Sequence, residues 1–472
     1  MKKYIFLAFF LSISSLLLGQ QSNGYEITVT ISGLQDSSVY LAYHLGDKQY
    51  IKDTIDLDKN GMGILKGNMP LQMGIYMIVL PGKKYFELLI SDDQFFSLSC
   101  SLKDYFNTLK FTGSAENDSF LKYQKTWVSL QDQAGNLSQR VQKNQQIPDS
   151  IKILNSKQKI LENKMKSYLH EVVNENNGNL LAVVVKALLP IEVPEFNIPP
   201  NSPNPDSIRA LKSYLYNKDH FFDNLDLTDN RLIRTPILDA RLKAFFNNVV
   251  IPLPDSINKE IDKLIVKCQY NYEIFQYVAV FLFNHYRESE VMGHDAVIVK
   301  LADDIYLAGK ANWVSEEFIT DLRKQVDLIR PNLIGKKAEN LIMNTYNGVY
   351  ASLYDIKKDF TILYFWEPDC AHCQVATPLL KEYYDKVKDQ GIEVFAICTQ
   401  SDKASWEKYI AENKLSWING WDPDRLTNFD YYYNVQSTPM VYILDKNKII
   451  IAKKLGVENI ASFIENYKKY NK

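Results

Sequence analysis

Two cysteines in C-x-x-C spacing, Cys370 and Cys373 of Cys370-Ala371-His372-Cys373, are the residues in this chain best placed to do chemistry. They follow an apolar run at 360–365 and the residues Trp366-Glu367-Pro368-Asp369, and they open a long helical pattern. The spacing therefore predicts a strand handing over to a helix N-terminus at the cysteines. Unpaired backbone N–H groups and the helix dipole stabilise a thiolate at such a place. The thiolate is the nucleophile of disulfide exchange, so redox chemistry between thiols is the expectation. A structural zinc would need four ligands. The nearest other candidates are Cys398 and His372 itself, and the sequence has no second C-x-x-C, so no metal is expected. Gln374 follows Cys373 where a c-type haem attachment site would have histidine, and no cofactor is expected.

The other three of the five cysteines, Cys100, Cys268 and Cys398, have no partner at a working spacing. An odd count argues against a stapled framework. Cys100 and Cys268 are expected as small buried residues, and Cys398, ending the strand after the motif helix, as a buried spectator. His44 stands alone and is read as a solvated strand-end residue.

Around these residues the chain changes character twice. Residues 25–112 carry seven or eight short β patterns, with Asp58-Lys-Asn-Gly61 as a hairpin turn, which predicts an all-β sandwich-like domain at 24–113. From 114 to 330 the pattern is helical, with amphipathic stretches at 150–174, 206–216, 231–247, 256–286, 296–308 and 314–328. Five prolines within 194–205 exclude regular structure there. From 331 to 472 strands and helices alternate and close on a hairpin at 440–455, which predicts an α/β sheet covered by helices on both faces. The fold class expected is thus multidomain: all-β, then all-α, then α/β.

Composition bounds the function. The chain has 472 residues and a net charge of −2, so no basic field points to nucleic acid. Lys2 and Lys3 precede an apolar stretch at 4–18 that turns polar at Gly19 and Gln20. Residues 1–20 are read as a secretory signal peptide, too short for a comfortable membrane span, with no transmembrane segment after cleavage. Export to the periplasm or cell envelope would put the cysteines where disulfides persist.

The last 140 or so residues resemble the thioredoxin superfamily, in particular its exported TlpA/ResA-like branch. The resemblance rests on the strand followed by Trp366 and Cys370-Ala-His-Cys373, on Pro378 eight residues after Cys370, and on Ser437-Thr438-Pro439 ahead of a strand. It implies a thioredoxin fold and a cis peptide bond at Pro439. It also implies a redox disulfide between Cys370 and Cys373, and a client-binding surface at Trp366, Thr438 and Pro439. Two departures stand out: Tyr364 occupies the position of the buried acid of thioredoxins, and Ala376 that of the glutamate common in the TlpA/ResA-like branch. The two preceding regions resemble uncharacterised modules found ahead of thioredoxin domains in exported bacterial proteins. The expected activity is exchange with protein thiol or disulfide clients. Cys370 attacks, Cys373 resolves, and an unidentified redox donor or acceptor closes the cycle. His372 is expected to hold positive charge near the Cys370 thiolate and lower its pKa. The alternatives are a peroxiredoxin-like antioxidant protein, for which the P-x-x-x-T-x-x-C pattern is missing, and a binding or scaffold protein that uses the redox domain as an adaptor.

Overall fold

The computed structural model describes residues 24–470 other than 145 and 200. The expected signal peptide at 1–20 lies outside the described residues. The chain divides into two compact units, Met1–Leu242 and Lys243–Lys472, so the division falls inside the region read as one helical domain.

The first unit opens with eight strands: β1 (Tyr25–Ser32), β2 (Ser37–Leu45), β3 (Lys48–Leu57), β4 (Met62–Gly67), β5 (Gly74–Val79), β6 (Tyr85–Ile90), β7 (Phe95–Ser101) and β8 (Lys110–Thr112). They form two four-stranded sheets, ordered β4-β1-β7-β8 and β3-β2-β5-β6. Alternating residues of both sheets share one core, with Ile27, Val29 and Phe96 from the first and Leu41, Ile78 and Leu88 from the second. His44 departs from the sequence reading. It is buried, with its Nε2 3.5 Å from the Glu87 carboxylate. The bulge opposite Leu41 and Ala42 places its extra residue on β3, so β2 keeps its alternation; His44 shares a face with Ala42, Met77 and Leu89, and that face is buried as well.

Helices Ala115–Lys143 and Pro148–Glu175 follow, the first capped by Ser114, whose hydroxyl accepts from the Asn117 N–H. Residues 190–199 carry no regular structure, as the prolines require. The pattern at 231–247 is broken at Thr235, whose extended backbone precedes Pro236. In the second unit the stretch at 256–286 is two helices, Pro254–Cys268 and Tyr272–Arg287, because Asn271 accepts from the Ile274 N–H and caps the second. An apolar periodicity that continued across the cap concealed it.

The remaining seven strands are β9 (Ile342–Thr345), β10 (Tyr350–Ser352), β11 (Phe360–Trp366), β12 (Ile392–Cys398), β13 (Ile418–Trp421), β14 (Met440–Asp445) and β15 (Ile450–Lys453). They form one mixed sheet in the order β10-β9-β13-β12-β11-β14-β15. β11 lies inside it, parallel to β12 and antiparallel to β14. All seven of its residues are buried, as a continuous apolar run requires of a strand covered on both faces. Ile362, Tyr364 and Trp366 face a core shared with helices Ala371–Val387, Lys403–Asn413 and Ile460–Tyr470. Leu363 and Phe365 face the opposite core, built from Leu341, Leu353, Phe429 and Tyr433. This is a thioredoxin-like fold, with three helices on one face and a short helix and the 338–356 segment on the other.

Candidate active site

The sheet delivers the two cysteines to its edge. After Trp366 ends β11, the chain turns into helix Ala371–Val387, for which Cys370 is the cap residue with extended backbone (φ −77, ψ 119). Its thiol therefore stands outside the helix, next to the unpaired N–H groups of the first turn. The Gln374 amide ties this turn to the loop by donating to the Pro368 carbonyl at 3.1 Å. Across from the helix end lies the loop before β14, where the Thr438–Pro439 peptide bond is cis. The Cys370 thiol donates to the Thr438 carbonyl at 3.3 Å.

The two free thiols sit in opposite environments. Partial burial pushes the Cys370 pKa upward. That effect is outweighed by hydrogen bonds from the Thr438 side chain, from the Cys373 backbone and thiol and from the His372 backbone, which hold it below the usual thiol value. Cys373 is 1 % exposed, and burial pushes it up to about 12 against a hydrogen bond from the Glu367 backbone. One site thus holds an accessible sulfur inclined to ionise and a hidden sulfur that keeps its proton. That is the pairing an attacking and a resolving thiol need.

The other predicted residues divide. Thr438 and Pro439 are partly exposed beside Cys370, with Ser437 and Gln436 open to solvent next to them. His372 is exposed, and what reaches the Cys370 sulfur is its backbone N–H. Trp366 is completely buried and offers a client no surface. Its ring packs 5.1 Å from that of Tyr409 and lies nearly parallel to that of Tyr364, so it supports the site from beneath. Glu367 and Asp369 are engaged elsewhere, accepting from the Thr399 and Ser405 hydroxyls. Tyr364, at the position of the missing acid, is buried with its hydroxyl 2.9 Å from Thr377 Oγ1. Cys398 faces Trp366 across the β11–β12 pairing with no exposed surface, and burial pushes its pKa up to about 12. Sequence reasoning missed the Glu367 N–H, Thr377 and Tyr409. The i,i+4 spacing of Cys373 and Thr377 on one helix was the available signal for Thr377. Among the described residues no group of three or more His, Cys, Asp or Glu is placed to hold a metal ion.

A dithiol at a strand-to-helix turn, set against a cis-proline loop, places the C-terminal domain in the thioredoxin-like class of thiol–disulfide oxidoreductases. Residues 334–453 match the AhpC/TSA family, and residues 25–120 match a domain of unknown function, DUF4369. Curated relatives of the C-terminal part carry the name thiol-disulfide oxidoreductase ResA. The Bacillus cereus protein is 26% identical over 134 residues, 28% of this chain and 76% of its own. The Geobacillus kaustophilus protein is 29% identical over 139 residues, 29% of this chain and 78% of its own. A solved domain of a possible thiol-disulfide isomerase from Cytophaga hutchinsonii is 42% identical, covering 29% of this chain and 94% of that one at a TM-score of 0.28.

Proposed function

We propose that the protein acts in the bacterial cell envelope and exchanges disulfides with protein clients through Cys370 and Cys373. The observation that carries this reading is the contrast between the two thiols within one helical turn: Cys370 accessible with its pKa lowered, Cys373 buried with its pKa raised. The Cys370 thiolate attacks one sulfur of a client disulfide. The client S–S bond breaks, its other sulfur leaves as a thiolate, and a mixed disulfide remains. Cys373 then attacks the Cys370 sulfur, forming the Cys370–Cys373 disulfide and releasing the second client thiolate. Every step reverses, so the same site oxidises clients when it starts as a disulfide. Stabilising the Cys370 thiolate favours the reduced protein and makes its disulfide more oxidising. The Thr438 backbone beside Cys370 offers a client chain hydrogen-bonding groups.

Export is supported by the pattern at 1–20, and no helix among the described residues is long and apolar enough to cross a membrane. Among the described residues, the regions before the redox domain hold no group of His, Cys, Asp or Glu placed to bind a metal ion and no second dithiol, and they are assigned to client selection. The test is a trap. A Cys373→Ser protein incubated with oxidised insulin should accumulate a covalent adduct on a non-reducing gel, and a Cys370→Ser protein should not. Absence of the adduct from both would sink the reading.

A further inference from the structure

Helix Pro148–Glu175 carries two stripes and packs along one of them. Its buried residues, Leu154, Leu161, Leu169 and Val172, form the first. The helix runs antiparallel to Ala115–Lys143. Gln158 donates to the Ser138 hydroxyl at 3.4 Å towards one end of the pair, and the rings of Tyr168 and Tyr123 stack 6.4 Å apart towards the other. The second stripe is Asp149, Ile153, Ser156, Ile160 and Lys164, spaced three or four residues apart and exposed throughout. Ile153 is 57 % exposed and Ile160 69 %. At roughly 3.6 residues per turn, this stripe lies about a third of a turn round the helix from Leu154 and Leu161.

Single exposed apolar side chains are ordinary. Two isoleucines on one stripe, bracketed by an acid at one end and a base at the other, form a pattern that matches itself when reversed. Let two copies of the helix lie antiparallel, with a two-fold axis passing between Ser156 and Lys157. Ile153 of one copy then meets Ile160 of the other, and Asp149 of one meets Lys164 of the other, each contact occurring twice. Ser156 sits at the crossing, where a small side chain lets the backbones approach, and its hydroxyl is already satisfied by the Lys152 carbonyl at 2.9 Å. Lys157, beside the axis, can lay its stem along the isoleucines and keep its ammonium in water. A parallel arrangement would instead set Asp149 against Asp149 and Lys164 against Lys164. The order of charges thus selects the antiparallel pairing, and a second copy of this chain supplies the complementary order residue for residue.

We propose that two copies of this protein associate through the exposed stripe of helix Pro148–Glu175, packed antiparallel on its counterpart about a two-fold axis at Ser156. Such a contact is isologous, the same patch serving both copies, which is the commonest closed symmetry of soluble assemblies. Ile153 and Ile160 supply its apolar centre, and Asp149 and Lys164 its charged rim. The stripe from 149 to 164 is about 22 Å long. That is the small end of protein interfaces, so the dimer forms and dissociates with concentration and is not permanent.

The test is the mass of the full protein in solution, with its thiols kept reduced so that no disulfide links copies. Sedimentation equilibrium from about 1 to about 100 µM covers the range of weak association. The mean mass should rise from one chain towards two. Ile153→Lys should weaken association at least about a hundredfold, because each copy loses one buried isoleucine worth roughly tenfold. Asp149→Lys and Lys164→Asp should each weaken it by about fivefold, the scale of exposed ion pairs. Mixing these two variants should restore association, since every charged contact between them again joins opposite signs. Mixing Asp149→Lys with Lys166→Asp should not restore it, because Lys166 lies on another side of the helix, 2.6 Å from Glu192. The substituted stripe residues are exposed, and unchanged helical circular dichroism checks that each variant is folded; should Ile153→Lys fail that check, the charge variants carry the test. A mass of one chain across the whole range would overturn the dimer. A dimer that survives Ile153→Lys would move the contact to another surface and overturn this one. Equal restoration by Lys166→Asp and Lys164→Asp would reduce the pairing to net attraction and overturn the register.

Discussion

Cys370 and Cys373 belong to one helical turn, yet their sulfurs experience different media, and their reactivity should divide accordingly. Iodoacetamide at neutral pH should modify Cys370 and leave Cys373 untouched in the folded, reduced protein, as peptide mass mapping would show. The sign follows from the shifts. Cys370, held below the usual thiol value, gains thiolate at lower pH than a free cysteine, whereas Cys373 gains it only near about 12. Alkylation of both at equal rates would contradict this division. The role of His372 is testable at the same scale. Its contact with the Cys370 sulfur is a backbone N–H, while its imidazole is exposed and screened by water. His372→Ala should therefore leave the Cys370 titration, read by thiolate ultraviolet absorbance, nearly unchanged. His372→Pro removes the N–H at a first-turn position where proline is tolerated, and should move the titration upward.

At the scale of elements, the helix after the first β-domain shows how a side chain can complete a sheet. β6 is the last strand of its sheet, so the backbone of Leu89 has an unpaired side. Asn117, on helix Ala115–Lys143, fills it. Its Oδ1 accepts from the Leu89 N–H and its Nδ2 donates to the Leu89 carbonyl, both at 2.8 Å, with the whole residue buried. Asn117→Ala leaves both backbone groups buried without partners, and should destabilise this unit by about 1–3 kcal/mol in urea unfolding. A loss below a few tenths of a kcal/mol would show that water reaches the strand edge. The Ser114 cap one turn earlier was readable because serine at a pattern change is a local signal. The Asn117–Leu89 pairing spans 28 residues and was not, since nothing in the neighbourhood of either residue marks the other.

At the scale of the molecule, the redox domain does not stand apart at residue 331. Lys453 on β15 is 4 % exposed, and its ammonium donates to the backbone and side-chain oxygens of Asn332 at 3.0 and 2.8 Å. It also pairs with Asp295, in the helical region of the same unit. A fragment starting at 331 would strip the carboxylate from a buried ammonium. Breaking such a pair costs about 3–5 kcal/mol. A fragment of 243–472 should accordingly unfold at higher temperature than one of 331–472. Asp295→Ala in the full chain should lower the stability of the second unit by a similar amount, and equal melting of the two fragments would remove the argument.

Local patterns in the sequence determined most of what is local in the protein. The eight β-domain strands, β11, β12 and β14, the motif helix and the C-x-x-C pair follow from periodicity, turn residues and the spacing of a few side chains, while the loop carrying Pro439 was marked by the resemblance to thioredoxins. These are near-neighbour effects, and near neighbours are written next to each other. What tertiary structure alone decided depends on contacts between distant residues. It buried Trp366 under the site and turned the His372 imidazole outward. It brought Lys453 to Asp295. It also set Tyr364 against Thr377 beside the resolving cysteine, because a strand and a helix must pack before two hydroxyls 13 positions apart can meet.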